Sequence, residues 1–177
     1  MFVVRKATIE DVKGIAKVHV DSWKSTYKGI VVQTYLDSLT YQQKEEQWSQ
    51  ANFDCLYVAE TKEEKIVGFV SFGKERSEKY HFEGELYAIY ILEEYQGKGI
   101  GKLLVMATIE ALQKQQLSNM LVWVLEESPS CKFYERYSPE KVGEESFSIH
   151  NRKHVEIAYG WTDLQELNGL LTRGEQT

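Results

Sequence analysis

The chain has 177 residues, 42% of them hydrophobic and 27% charged, the length and balance of one globular domain with a single core rather than a disordered or two-domain protein. Lysine and arginine number 21 against 27 aspartates and glutamates, a net charge of −6, the wrong sign for a surface that holds nucleic acid and a better match to a cationic substrate. No apolar run approaches the ~20 residues that cross a bilayer, and the N-terminus turns polar after Val4, without the apolar stretch of a secretory signal, so the expectation is a cytoplasmic monomer or homodimer with no membrane partner.

In chain order, Phe2 to Lys6 is a short β-type run, and Thr8-x-x-Asp11 has the form of a capping box at a helix start. Val12, Ile15, Ala16, His19 and Trp23 then recur at helical spacing and predict a helix to about Tyr27. A second helical stretch covers Gln33 to Gln50 in pieces, burying Leu36, Leu39 and Trp48. Leu56 to Ala59 and Ile66 to Phe72 are β-rich runs split by the charged turn Lys62-Glu63-Glu64-Lys65, and so predict a hairpin. Glu85 to Leu92 is apolar on both faces, as a central strand is. A helical period runs from Leu103 to about Gln115, and Met120 to Leu125 is another buried strand, which makes a strand–helix–strand crossover with parallel strands. Pro129 opens a short helix that Pro139 ends. Val142 to Ile149 and Val155 to Trp161 are the last strands, joined by a turn at His150-Asn151-Arg152-Lys153. The core ends near Trp161, and Leu170-Leu171 in the tail has no assigned use. Cys55 and Cys131 have neither disulfide nor zinc-type spacing and are read as free thiols.

The chemistry concentrates at Gln96-Gly97-Lys98-Gly99-Ile100-Gly101-Lys102. This segment lies between a buried strand and a helix, so backbone N–H groups and a helix dipole converge on one turn suited to an anion. Glycines at 97, 99 and 101 leave room for a pyrophosphate, and Lys98 and Lys102 add positive charge at the rim. A Walker A loop requires four residues between its first glycine and the Gly-Lys pair, whereas Gly97 to Gly101 leaves three and Leu103 follows Lys102. A dinucleotide fingerprint requires a third glycine where Lys102 stands, although Glu126 or Glu127 could serve as its ribose-binding acid.

Gln96-x-x-Gly99-x-Gly101, preceded by Ile89-Tyr90-Ile91 and followed by Leu103-Leu104, resembles the acetyl-CoA-binding motif of the GNAT acetyltransferase superfamily. Val122 to Glu127 and Phe133-Tyr134-Glu135-Arg136 resemble that superfamily's second motif, and the likeness extends from Val3 to Trp161. It implies an α/β fold in one domain: a mixed, twisted sheet of six or seven strands, helices on both faces, and a central parallel pair that splays apart. It also implies that Ile89, Tyr90 and Ile91 flank the acetyl and pantetheine arm, that Gln96 to Lys102 hold the pyrophosphate, and that Tyr134 is the general acid for the departing thiolate. The reaction implied is transfer of acetyl from acetyl-CoA to a primary amine, without metal. The non-catalytic alternative is a CoA-binding sensor.

An attacking amine must also lose a proton. Glu85 is the candidate base, because it shares strand parity with Tyr87, Ile89 and Ile91. Trp23 and Tyr27 are the candidate acceptor-binding residues. Ser128 stands where the family commonly has a CoA-contacting asparagine, and Tyr137-Ser138-Pro139 replaces the usual Leu-Gly-Phe. His150 and His154 are four residues apart but flank a strand turn, so no metal site is expected.

Overall fold

The computed structural model describes residues 1–173. Seven strands form one sheet: β1 (Val3–Lys6), β2 (Leu56–Glu60), β3 (Ile66–Lys74), β4 (Gly84–Ile91), β5 (Met120–Leu125), β6 (Glu140–Ile149) and β7 (Arg152–Trp161). Their order is β1-β2-β3-β4-β5-β7-β6. Only β4 and β5 pair in parallel, as the intervening helix α4 (Ile100–Lys114) requires.

Helices cover both faces. Phe69 of β3 meets His19 of α1 (Val12–Thr26) and Trp48 of α3 (Tyr41–Ser49). The neighbouring Gly68 points the other way, where a Cβ would lie 3.4 Å from Ile100 of α4. The short α2 (Gln33–Ser38) precedes α3, whose start is capped by Thr40 Oγ1 accepting from the Gln43 N–H at 3.3 Å. The predicted helix between Gln33 and Gln50 is therefore two pieces. At the N-terminus, the Thr8 N–H donates to Asp11 at 2.8 Å, and the same carboxylate takes both ends of the Arg5 guanidinium, tying β1 to the start of α1.

Two boundaries differ from the sequence reading. β6 and β7 pair up to Ile149 and Arg152, so the turn is two residues, not four. His150 and Asn151 both have positive φ, 44° and 65°, the geometry that lets a two-residue turn follow the strand twist. The core also continues past Trp161: α6 (Leu164–Arg173) buries Leu164, Leu167 and Leu171 against it. At roughly 1.5–3 kcal/mol per fully buried leucine, this helix is a structural part of the domain. Finally, the single domain read as 1–177 includes residues 174–177, which lie outside those described. Among the described residues no helix is long and apolar enough to cross a membrane.

Candidate active site

The sheet opens where β4 and β5 part. They pair at Gly84–Met120, Glu85–Leu121 and Leu86–Val122, and the ladder stops there although both strands continue. On the other edge of β4 the register to β3 slips at the same level: Ser71 faces Ala88, but Phe72 faces Leu86. Tyr87 is thus an extra residue, a bulge that bends β4 away from β5. Beyond the fork, backbone N–H and C=O groups of the facing edges have no strand partner, and such groups need one.

A cleft of about 450 Å³ occupies the fork. Its walls are β4 from Leu86 to Ile91, β5 from Val122 to Leu125, the turn into α4, the short helix α5 (Ser130–Glu135) and the end of α1. Tyr134 of α5 is buried, and its hydroxyl is one of three buried side-chain polar atoms without a hydrogen-bond partner among the described residues. Burial, then the charges that Tyr90 and Cys131 would carry, push the Tyr134 phenol above its ordinary range, so it stays protonated at neutral pH. A buried, protonated donor without a partner at the wall of a cleft can serve a ligand.

The glycine turn divides into two kinds of position. Gly97 and Gly99 have φ of 72° and 82°, and a Cβ on either would meet nothing within 4 Å, so they supply backbone conformation and open space. Gly101 lies inside α4, and a Cβ there would stand 3.3 Å from the Phe133 ring. Its smallness serves helix packing instead of ligand approach, which corrects the reading of three equivalent glycines. The Gln96 side chain braces the turn by donating to the Ile91 carbonyl at 3.1 Å. The α4 N-terminus then faces the cleft with the free N–H groups of a helix start. Lys102 and Arg136 bring positive charge to the wall, whereas Lys98 lies over the Tyr95 ring, 5.1 Å from its centroid, and does not line the cleft.

The sequence model of the acetyltransferase (GNAT) family matches residues 18–138. The chain belongs to this family. It is 46% identical over 98% of its length to the whole of an uncharacterized N-acetyltransferase, YuaI, of Bacillus subtilis. A spermidine N(1)-acetyltransferase of Thermoplasma acidophilum is 28% identical over 68% of this chain and 76% of its own. Among solved structures, the PaiA N-acetyltransferase of the same archaeon, in complex with coenzyme A, superposes with a TM-score of 0.65 at 24% identity, covering 89% of this chain and 98% of that one. The GNAT assignment decides between the readings of the glycine turn in favour of the acetyltransferase.

Within this GNAT fold the structure brings most of the expected residues to one place. Ile89, Tyr90, Ile91, Gln96, Gly97, Gly99, Ile100, Gly101, Lys102, Tyr134 and Tyr27 all line the cleft. Trp23 stands behind Tyr27, with ring centroids 4.4 Å apart. Ser128 is not at the wall: it is buried, and its hydroxyl accepts the Ser130 N–H at 3.2 Å in front of α5, so Ser130 faces the cleft in its stead. Glu85 is likewise absent from the lining. It is 2% exposed and gripped by Arg76, whose Nε donates to Oε2 at 3.0 Å and whose Nη2 donates to the same oxygen. The parity argument for Glu85 fails because the bulge at Tyr87 interrupts the alternation before Ile89.

Arg136 and Ser130 went unassigned by sequence, although Arg136 lies inside the quoted Phe133-Tyr134-Glu135-Arg136 run. The replacement Tyr137-Ser138-Pro139 keeps the local shape: Ser138 adopts φ of 51°, the conformation glycine favours. Tyr137 lines the cleft, and its carbonyl accepts from Trp161 Nε1 at 2.8 Å. His154 is buried beside Glu127, with Nδ1 3.3 Å from Oε1. No group of three or more histidines, cysteines or acids that could hold a metal occurs among the described residues.

Proposed function

We propose that this chain transfers the acetyl group of acetyl-CoA to a primary amine by direct attack within a ternary complex, and that the acceptor is a small cationic amine of the polyamine class. The observation that carries the transfer chemistry is the unpartnered Tyr134 hydroxyl at the fork. Acetyl-CoA fits the fork in three ways. Its amide-bearing pantetheine arm supplies partners to the unpaired edges of β4 and β5, its pyrophosphate matches the start of α4 with Lys102 and Arg136, and its thioester would lie within reach of Tyr134.

The amine nitrogen attacks the thioester carbonyl, a backbone N–H of the opened β4 edge steadies the oxyanion, and Tyr134 gives its proton to the departing thiolate. The cationic class of acceptor is supported by the T. acidophilum relative named for spermidine, by the net charge of −6 and by an acidic pair on the strands beside β5, where Glu156 pairs with the cleft residue Leu125. Glu145 and Glu156 stand opposite each other on β6 and β7. Burial, then the charges of Glu145 and Glu85, push Glu156 above the usual carboxylate range, so the group would gain from a nearby cation.

A screen of primary amines for thiol release from acetyl-CoA tests the reading. Spermidine and related polyamines should release thiol and appear as monoacetylated products, while amino acids and anionic amines should react far more slowly. A folded protein that releases no thiol with any amine overturns the proposal.

A further inference from the structure

A second cavity, of about 340 Å³, lies between the sheet and helices α1 and α3, at the small end of the range for ligand pockets. Trp48, Leu56, Phe72 and Ala88 give it an apolar wall, and His19, Gln47, Asn52, Ser71 and Arg76 a polar one. Tyr87, Ala88 and Tyr90 of β4 line both this cavity and the cleft, so one strand divides the two. Among the described residues no side-chain carboxylate lines the second cavity, and the transfer chemistry makes no use of it.

Its polar side chains are engaged in a way that leaves mainly donors free. An indole N–H, an ammonium and a main-chain N–H donate and cannot accept. Trp48 Nε1 donates to His19 Nδ1 at 2.9 Å, so the imidazole is neutral and carries its proton on Nε2. Burial, then the charge of Lys44, holds the ring well below its ordinary range, at about 3, in agreement with that geometry. Lys44 Nζ donates to Gln47 Oε1 at 3.1 Å and the Asp54 N–H to Asn52 Oδ1 at 3.1 Å, so the oxygens of both amides are taken. Asn52 Nδ2 meets only the weak acceptor Cys55 Sγ, at 3.8 Å. Arg76 directs Nε, at 3.0 Å, and Nη2 to Glu85 and lies over the Tyr87 ring, 4.0 Å from its centroid. His19 Nε2, Gln47 Nε2 and Arg76 Nη1 have no hydrogen-bond partner among the described residues. His19 is only 8% exposed, so the cavity is where its free N–H can find one. Lys44 makes no ion pair among the described residues, and burial holds it below its ordinary range, so an anion beside it would be favourable.

We propose that this cavity is a binding site for a small organic carboxylate with an apolar body, separate from the acetyl-CoA cleft. The carboxylate accepts from the free N–H groups that line the cavity, His19 Nε2 foremost because it is the most deeply buried, while the apolar body lies against Trp48, Leu56 and Phe72. Hydrogen bonds to an ionised acceptor are the strong ones, which favours the carboxylate over a neutral amide of the same shape. An ammonium finds no carboxylate here, so the amine acceptor of the transfer is not the ligand.

Three probes of similar shape test the site: phenylacetate, phenylacetamide and phenethylamine. Each is titrated with and without saturating CoA, which judges the site apart from the transferase reading, and followed through the tryptophan indole signals of isotope-labelled protein by NMR. Phenylacetate should bind more tightly than the amide and should move the Trp48 signal, whereas Trp161, which does not line the cavity, should keep its own. Phenethylamine should leave the Trp48 signal in place. Gln47→Glu, at an exposed position, should keep the fold and weaken phenylacetate at least about tenfold, because it exchanges a donor for a like charge. No phenylacetate binding at about 10 mM, an affinity order in which phenylacetate is not first, a Trp48 signal that stays in place, competition with CoA, or a Gln47→Glu protein that binds as well as the wild type each overturns the proposal.

Discussion

Replacing Tyr134 by phenylalanine separates stability from catalysis. The ring is held by Phe133 at 5.1 Å and Trp161 at 6.0 Å between centroids, and the variant keeps these contacts. The hydroxyl is buried and unpartnered in the ligand-free protein, and a buried polar group without a partner costs about 1–3 kcal/mol. Its removal should therefore leave the unfolding free energy unchanged or raise it by up to about 1 kcal/mol, after the small void left behind is counted. In turnover the same hydroxyl is the acid for the leaving thiolate, a role worth 10²–10⁴-fold, or about 3–5 kcal/mol of barrier. Urea denaturation, acetyl transfer and acetyl-CoA titration on the purified variant give the three quantities. The expected pattern is equal or higher stability, nearly unchanged affinity and a steep fall in kcat. A variant destabilised by more than about 1 kcal/mol that still turns over refutes the reasoning, because the hydroxyl would then be a structural group. A CoA-binding sensor, by contrast, has no turnover to lose.

Other perturbations follow from particular residues. Glu85→Gln breaks the buried contact with Arg76 and should cost about 1.5–3 kcal/mol of stability by denaturation, while the pH profile of kcat stays in place; a displaced profile would restore Glu85 as the base. Ser138 and Gln116 hold φ of 51° and 63°, so Ser138→Gly and Gln116→Gly should each raise stability by about 0.5–1 kcal/mol, and a loss at either site would contradict the strain argument. Asp11 is held below the ordinary carboxylate range, chiefly by its hydrogen bond from Arg5. Its contribution is present above the unfolded pKa of about 4 and fades as pH falls through the lower native value. Asp11→Asn should thus be destabilising by about 1.5–3 kcal/mol at pH 7, with the two proteins converging in acid; a gap that persists at the lowest pH measured would show that the charge is not the cause.

How far the sequence reached depends on what each feature needs. The crossover from β4 through α4 to β5 was legible because a helical period between two apolar runs leaves few other folds, and the glycine turn was legible in part, because spacing excludes a Walker A loop and weakens the dinucleotide reading that the family match then sets aside. The bulge at Tyr87 was not, since an inserted residue changes no local composition but reverses the face of everything beyond it, and with it the case for Glu85. Ser128 shows a similar limit. A hydroxyl before a short helix reads as a ligand contact or as a cap, and only the Ser130 N–H beside it decides. The aromatic wall of His19, Trp23 and Tyr90 joins α1 to β4 across some seventy residues of chain, a contact that no local pattern announces. The leucines of α6 were visible, but their use depends on a groove made by elements far upstream.

The account stands on the claim that acetyl-CoA occupies the fork between β4 and β5. Hydrogen–deuterium exchange with and without saturating acetyl-CoA measures it directly. The prediction is slowed exchange at Tyr87 to Ile91, at Gln96 to Lys102 and at Val122 to Leu125, where backbone groups gain partners. Protection confined to other parts of the chain, or none at saturation, would contradict it.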